Sequence, residues 1–592
     1  MSHSRELIGY ATFILALSSL AFLAIYVHLV YLFKSQVLPE LLFWIFALAL
    51  SVTTMLLWAF GGKKIGLVAV FASAFVLVSM FFFRFYFYGW DLVGEYSVAK
   101  ITHELGRWTP EMVTARQIWL NWRFCKPDEF QHRYFSTTSV TILPAIMSEV
   151  TGASLRLVFW FLLSVVSTTA VILGFLIVRT CFGQKVATLS SIVFVFSSFY
   201  MGKFATILRE DVALLFLLLA VFCILKEGRK NLVISLISLA SLPMSHYGLV
   251  YFAILSLLLL LVSKKLQKNK ILRKINPNLS SEFSRCSAIS GPLVLYLTIT
   301  VIFWFMFVAY PIFLDNIEGF VEFFDALLGP APTRLSYFQQ HIFLSSLGPF
   351  NTAVQWLERV MAGMGFVLAL KTCKSRKAFS FAFLGGGLLA AALALAFLPT
   401  LSLLFDLDRT MQVALVGFSA FIAVAVFRIF QKNNFGKVLS IFFVTLILLE
   451  TLHSPILYSS ASNLSREDYI FSFTHVVTFY ESSDFQFAEW AESFTNKSDV
   501  FASDNRGWRL CLITKRICAE PRGADVPDTV SLLESGKTDY FVFLSYLRDY
   551  MSFRSENGDE LQLNSTDISK LLDSNRLNRI YDDSRITNFG YV

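Results

Sequence analysis

The chain has 592 residues, of which 56% are hydrophobic and 16% charged, with a mean hydropathy of +0.61. Soluble domains run at roughly 45–50% apolar and about 25% charged, so soluble, disordered, collagen-like and disulfide-scaffold classes are excluded and a polytopic membrane protein is indicated. The net charge of +8 divides unevenly, with 36 basic and 21 acidic residues up to residue 456 and 14 against 21 beyond it, so the positive charge reports membrane topology and not a nucleic-acid partner.

A spanning helix needs roughly 20 mostly apolar residues. Thirteen such runs are read, near 9–33, 40–60, 66–84, 152–178, 186–203, 211–225, 231–245, 247–263, 290–314, 353–370, 378–399, 410–430 and 438–455. The first is too long for a signal-peptide core and is read as a retained span. Basic connections alternate along the chain: Lys63 and Lys64, Arg179 with Lys185, Lys226 with Arg229 and Lys230, Lys264 to Arg285, Lys371 to Lys377, and Arg428 to Lys437. Short basic loops stay in the cytoplasm, so the N-terminus is expected inside. Thirteen spans then leave the acidic tail outside.

This divides the chain into N-terminal spans (1–84), a first large extracytoplasmic loop (85–151), the remaining transmembrane core (152–455) and an extracytoplasmic tail (456–592). The loop mixes charge with Trp90, Trp108, Trp119, Trp122 and Tyr134, a composition suited to amphipathic helices at headgroup level. The tail has the pattern of a small α/β domain. SDVFASD and TDYFVFLS read as strands, DTVSLLESG and DISKLLDSNRL as helices.

Chemistry is sought where polar residues gather at the outer membrane face. Asp91 and Glu95 are spaced i, i+4 in GWDLVGEY, so a helix puts both carboxylates on one face, a repulsion relieved by a bound cation (Mg or Mn), a basic partner or a raised pKa. The plainer reading is a solvated helix face. Glu210 and Asp211 stand where span six enters the bilayer from outside, and capping of the helix dipole is the plainer reading there. His246, in the tight outside turn between spans seven and eight, is suited to phosphate binding or proton transfer, against the simpler role of a polar turn residue. Arg409, in FDLDRTMQV at the outer end of span twelve, offers a fork of donors for a lipid-linked phosphate; snorkelling is its plainer role.

Among the seven cysteines, Cys511 and Cys518 sit across the hairpin-like stretch LCLITKRIC in the outside tail, where a disulfide is open. Asn463, Asn496 and Asn564 open sequons that also arise by chance in Ser-rich sequence. The chain has no P-loop, GxGxxG or zinc-type CxxC pair, which argues against a nucleotide-driven or NAD-dependent enzyme.

GWDLVGEY after an early span, a first outside loop running to STTSVTILPAIMSEVTGAS, then REDVALLFLLLAVF and PMSHYGLVYF, resemble an archaeal family of multi-pass membrane proteins of the GT-C glycosyltransferase type. In the tail, TDYFVFLS and NRLNRIYDDSRITNFGYV resemble the family's outside domain. The resemblance implies a mostly α, GT-C-like polytopic fold with a C-terminal α/β domain, and transfer of a sugar from a polyprenyl-phosphate-linked donor to a glycan, lipid or protein acceptor on the outer face of the cell membrane. It implies Asp91 and Glu95 as the catalytic acids of the first loop. Glu210, Asp211, His246 and Arg409 fall at substrate-binding positions. One departure is that the acidic loop follows span three, where many such enzymes carry it after span one. Two other readings stand beside this one, a transporter or flippase for a lipid-linked or small polar substrate and a non-catalytic cell-surface assembly protein. Against transport, the charges lie at span ends and not at the midplane, and there is no inverted repeat.

Overall fold

The computed structural model describes residues 87–88, 90–108, 123–125, 132–195, 207–266, 290–309, 348–373, 375–397 and 407–430, a few single residues besides, and short strands between 479 and 591. The spans read near 9–33, 40–60 and 66–84, the tail helix at DTVSLLESG and the three sequons lie outside the described residues. The chain divides into two compact units, 81–159 with 465–592, and 1–80 with 160–464.

In the first of these units, β1 (Phe87–Tyr88) leads into helix α1 (Trp90–Leu105), followed by β2 (Arg123–Cys125), α2 (His132–Phe135) and α3 (Ile142–Thr151). From the tail come β3 (Phe479–Tyr480), β4 (Val500–Ala502), β5 (Ile517–Glu520), β6 (Tyr540–Phe543), β7 (Ser552–Arg554), β8 (Glu560–Gln562), β9 (Leu577–Asp583) and β10 (Ile586–Tyr591). Leu577, the last residue of DISKLLDSNRL, thus opens a strand where the sequence reads a helix end. Six strands form a mixed sheet in the order β2-β5-β4-β6-β10-β9, with β4 parallel to both β5 and β6 and the other pairings antiparallel. β1 pairs with β3 and β7 with β8. The loop therefore contributes strands to sheets built mainly from the tail, although more than 300 residues separate them in the chain.

The expected headgroup-level helix is not α1. Leu92, Val93, Val98 and Ala99 are fully buried, as is Glu95, and the helix packs on α2 and α3. Its small residues allow that approach, because a Cβ on Gly94 would lie 2.8 Å from the ring of Tyr134. The exposed apolar stripe of this segment lies on α3, at Leu143, Ile146 and Val150, spaced i, i+3 and i+7. Helix α3 stops at Gly152, whose left-handed backbone (φ 67°) lets its amide return to the Ser148 carbonyl at 2.9 Å.

The other unit is helical wherever it is described: α4 (Leu155–Phe182, entering from the first unit), α5 (Gln184–Val195), α6 (Leu208–Lys226), α7 (Arg229–Ser245), α8 (Leu249–Leu266), α9 (Ser290–Phe307), α10 (Gly348–Thr372), α11 (Arg376–Phe397) and α12 (Leu407–Ala425), the last continued by a π-helical turn, Val426–Phe430. Among the described residues five segments are long and apolar enough to cross a membrane: Leu155–Phe182, Leu249–Leu266, Ala353–Thr372, Arg376–Leu395 and Arg409–Ile429. Arg179, Lys226, Lys264 and Lys371 stand in the last turns of α4, α6, α8 and α10, where a cation complements the helix dipole.

Helix α12 is the axis of this unit and packs against α5, α10 and α11. Close approach to α11 depends on glycine, since a Cβ on Gly417 would come within 2.8 Å of Gly385 Cα. Small residues at crossings are how membrane helices gain dispersion contacts without a hydrophobic driving force. Hydroxyl contacts add to this, Ser190 to Ser419 at 3.1 Å and Ser263 to Ser380 at 3.2 Å.

Candidate functional site

Three helix ends converge around Glu210. The residue lies in the first turn of α6 and is fully buried, His246 follows the last residue of α7, and Arg409 lies in the first turn of α12. Glu210 Oε1 is 2.6 Å from Arg409 Nε and 3.3 Å from His246 Nε2. The Arg409 side chain keeps 25% exposure, whereas Glu210 is fully buried. The first turns of α6 and α12 both bring the positive ends of helix dipoles to this place.

His246 is held at Nδ1 and turns Nε2 toward Glu210. The Gly248 and Leu249 amides donate to Nδ1 at 3.0 and 3.1 Å, so the imidazole caps the start of α8. With Nδ1 accepting, the ring proton belongs on Nε2, which faces Glu210. Tyr247 stacks on the ring at 4.8 Å. Burial pushes the imidazole pKa down to about 4; the hydrogen bond to Glu210 opposes that shift, and the Arg409 and Arg209 charges add to it. Gly248 keeps the turn open, because a Cβ there would meet His246 Cε1 at 3.1 Å and Arg409 Nη1 at 3.8 Å.

Asp211, one residue on from Glu210, serves a different set of partners. Ser167 of α4 donates to Oδ2 at 2.8 Å and Gln412 of α12 donates to Oδ1 at 3.3 Å. Adjacent helix residues do not share a face, which is why one acidic pair ties two different neighbours to α6. Asp211 is fully buried, so its contacts position helices.

Asp91 and Glu95 lie in the other unit, on α1. The spacing does not produce a solvated acidic face, because Glu95 is 0% exposed while Asp91 is half-buried. Tyr134 Oη donates to Asp91 Oδ1 at 2.7 Å, its ring lying over Gly94 between the two acids. Trp108 Nε1 donates to the Phe135 carbonyl at 2.8 Å and holds the neighbouring residue of α2. Both aromatics, read in the sequence as interfacial, bond within this unit instead, Tyr134 to Asp91 and Trp108 to the backbone of α2.

The sequence singled out Glu210, Asp211, His246 and Arg409 at the ends of two spans and in a turn; the fold brings Glu210, His246 and Arg409 together and turns Asp211 to Ser167 and Gln412. Ser167, Gln412 and Tyr134 were missed as partners. Gln412 had a signal available, being an amide one turn after Arg409 in an apolar span; Ser167 had none, since Ser164, Thr168 and Thr169 stand beside it in α4. Among the described residues no three His, Cys, Asp or Glu side chains gather so as to hold a metal ion such as the Mg or Mn considered for the carboxylates.

No protein-family model matches this chain, and no curated protein matches it. Solved structures to which it is similar include ArnT from Cupriavidus metallidurans in the apo state, at 11% identity and TM-score 0.48, covering 90% of this chain and 99% of that one. Another is the Archaeoglobus fulgidus oligosaccharyltransferase in complex with Zn and sulfate, at 12% identity and TM-score 0.43, covering 84% and 73%. A third is the arabinofuranosyltransferase AftD from Mycobacteria, at 10% identity and TM-score 0.46, covering 89% of this chain but 40% of that one.

Proposed function

We propose that the protein is a membrane glycosyltransferase that moves a sugar from a polyprenyl-phosphate-linked donor to a glycan, lipid or protein acceptor on the outer face of the membrane. The observation that carries this reading is the guanidinium of Arg409, partly exposed and oriented at 2.6 Å by a fully buried carboxylate where two helix N-termini meet. Such a fork suits a phosphate that arrives at the bilayer edge on a lipid. The resemblance at GWDLVGEY supplies the rest of the chemistry.

In this reading Asp91 accepts the proton of the acceptor hydroxyl as that oxygen attacks the anomeric carbon, and the bond from that carbon to the phosphate oxygen breaks. Tyr134 fixes the rotation of the Asp91 carboxylate. Arg409 stabilises the charge that develops on the departing phosphate. Glu210 and His246 hold Arg409, and Asp211 holds α6 against α4 and α12; all three are positioning residues. Glu95, buried one turn from Asp91, supports the catalytic acid from within α1.

The test is transfer by purified protein in liposomes from a polyprenyl-phosphate sugar. Asp91→Asn nearly preserves size and removes the charge, so the rate should fall by about 10²- to 10⁴-fold at an unchanged protein level. Arg409→Ala should chiefly raise the donor concentration needed for half-maximal rate. Parent rates from both variants would end the assignment.

A further inference from the structure

Cys125 and Cys518 stand opposite one another in the antiparallel ladder of β2 and β5, where the register pairs Arg123 with Glu520, Phe124 with Ala519 and Cys125 with Cys518. Directly opposed residues of an antiparallel pair share a face of the sheet. Their Cα atoms are about 4.5 Å apart at non-hydrogen-bonded positions and about 5.5 Å at hydrogen-bonded ones. Both spacings fall within the roughly 4.4–6.8 Å that a disulfide spans. Cysteine is scarce here, seven in 592 residues, so a Cys-to-Cys match in a three-residue ladder is not what composition alone would give.

The same topology argues against the pairing read from LCLITKRIC. A strand has two edges, and β5 has β2 on one and β4 on the other, Cys518 standing opposite Cys125 and Phe501. No position beside Cys518 in the sheet remains for a hairpin strand carrying Cys511, which itself lies outside the described residues.

We infer that Cys125 and Cys518 form a disulfide that fastens the edge strand of the first loop to the sheet of the tail. The inference rests on both segments lying on the extracytoplasmic side, where disulfides persist. Strand β2 is three residues long, arrives from a distant part of the chain and sits at the end of the sheet order, so few ladder hydrogen bonds hold it. A covalent tie closing a loop this long removes much of the freedom of the unfolded chain. The oxidant is of the thiol–disulfide oxidoreductase class. The Cys125 thiolate attacks the oxidised donor's disulfide, the Cys518 thiolate then displaces the donor from the mixed disulfide, and the donor leaves as its dithiol with the two electrons and two protons.

The experiment uses full-length protein from membranes that are acid-quenched and alkylated with N-ethylmaleimide before digestion without reductant. The expected product is one linked species joining the Cys125 and Cys518 peptides, two hydrogens lighter than their sum, which dithiothreitol splits into the separate peptides. Recovery of both as N-ethylmaleimide adducts, or of a Cys511–Cys518 species, overturns the inference. As a second measurement, Cys125→Ser, Cys518→Ser and the double variant should lower the unfolding midpoint by the same amount, because either change alone removes the bond. Additive shifts, or none, overturn it as well.

Discussion

The first turn of α6 and the first turns of α1 each carry two acids, and the fold treats them differently. On α6 the neighbours Glu210 and Asp211 are both fully buried and face separate partners, an arginine and a histidine for one, a serine and a glutamine for the other. On α1 the acids are a turn apart, one buried and one half-buried, and Asp91 is held by a neutral tyrosine hydroxyl. A carboxylate set against a guanidinium serves as its counter-ion. Position at a membrane face therefore does not by itself assign a role to an acid, since the same position accommodates a guanidinium contact at Glu210 and a tyrosine hydroxyl contact at Asp91.

The largest effect that would break this contrast is on stability. Glu210→Ala removes the counter-ion of a mostly buried guanidinium and should cost about 3–5 kcal/mol, read as a fall in the unfolding midpoint in detergent. A midpoint within about 1 °C of the parent's would mean that Glu210 does not hold Arg409.

The pH dependence of the same cluster comes next. The folded His246 pKa lies below its unfolded value of about 6.5, so the unfolded chain binds the proton more readily. Its contribution to stability is complete above about pH 6.5, is lost as the pH falls from there to about 4, and changes no further below that. His246→Gln should flatten that part of the stability curve relative to the parent. Parallel curves for the two proteins would place the acid sensitivity elsewhere.

A smaller effect sharpens the other side of the comparison. Gly94→Ala drives a Cβ to 2.8 Å from the Tyr134 ring and should cost about 1–3 kcal/mol while moving the hydroxyl off Asp91. Transfer should then fall more than stability does, and equal falls would show that Tyr134 only fills space.

Much of this was legible in the sequence because it was carried by local signals. Apolar length and terminal charge were enough to read α4, α8, α10, α11 and α12 as membrane-spanning helices, and polar residues at span ends marked Glu210, His246 and Arg409. What the sequence hid was which of them meet. Glu210 and Arg409 lie nearly 200 residues apart, and no local pattern encodes a contact between the first turns of two helices so distant in the chain. The burial of α1 was hidden for a related reason. Its aromatic and charged surroundings read as interfacial, whereas Gly94, Ser97 and Ala99 make it a helix that others can pack closely around. The register of β2 with β5 was beyond reach, since a three-residue edge strand has too little pattern to declare its partner.

The division of labour between Arg409 and Asp91 is tested most directly by equilibrium binding of a polyprenyl phosphate to the purified protein and its variants. Arg409→Ala should weaken binding by about 10- to 100-fold, the loss of one charge-assisted contact of roughly 1.5–3 kcal/mol, while Asp91→Asn, expected to lose transfer, should bind as the parent does. Unchanged binding by Arg409→Ala, or equal weakening by both variants, would contradict the assignment of the phosphate to Arg409 and of the proton to Asp91.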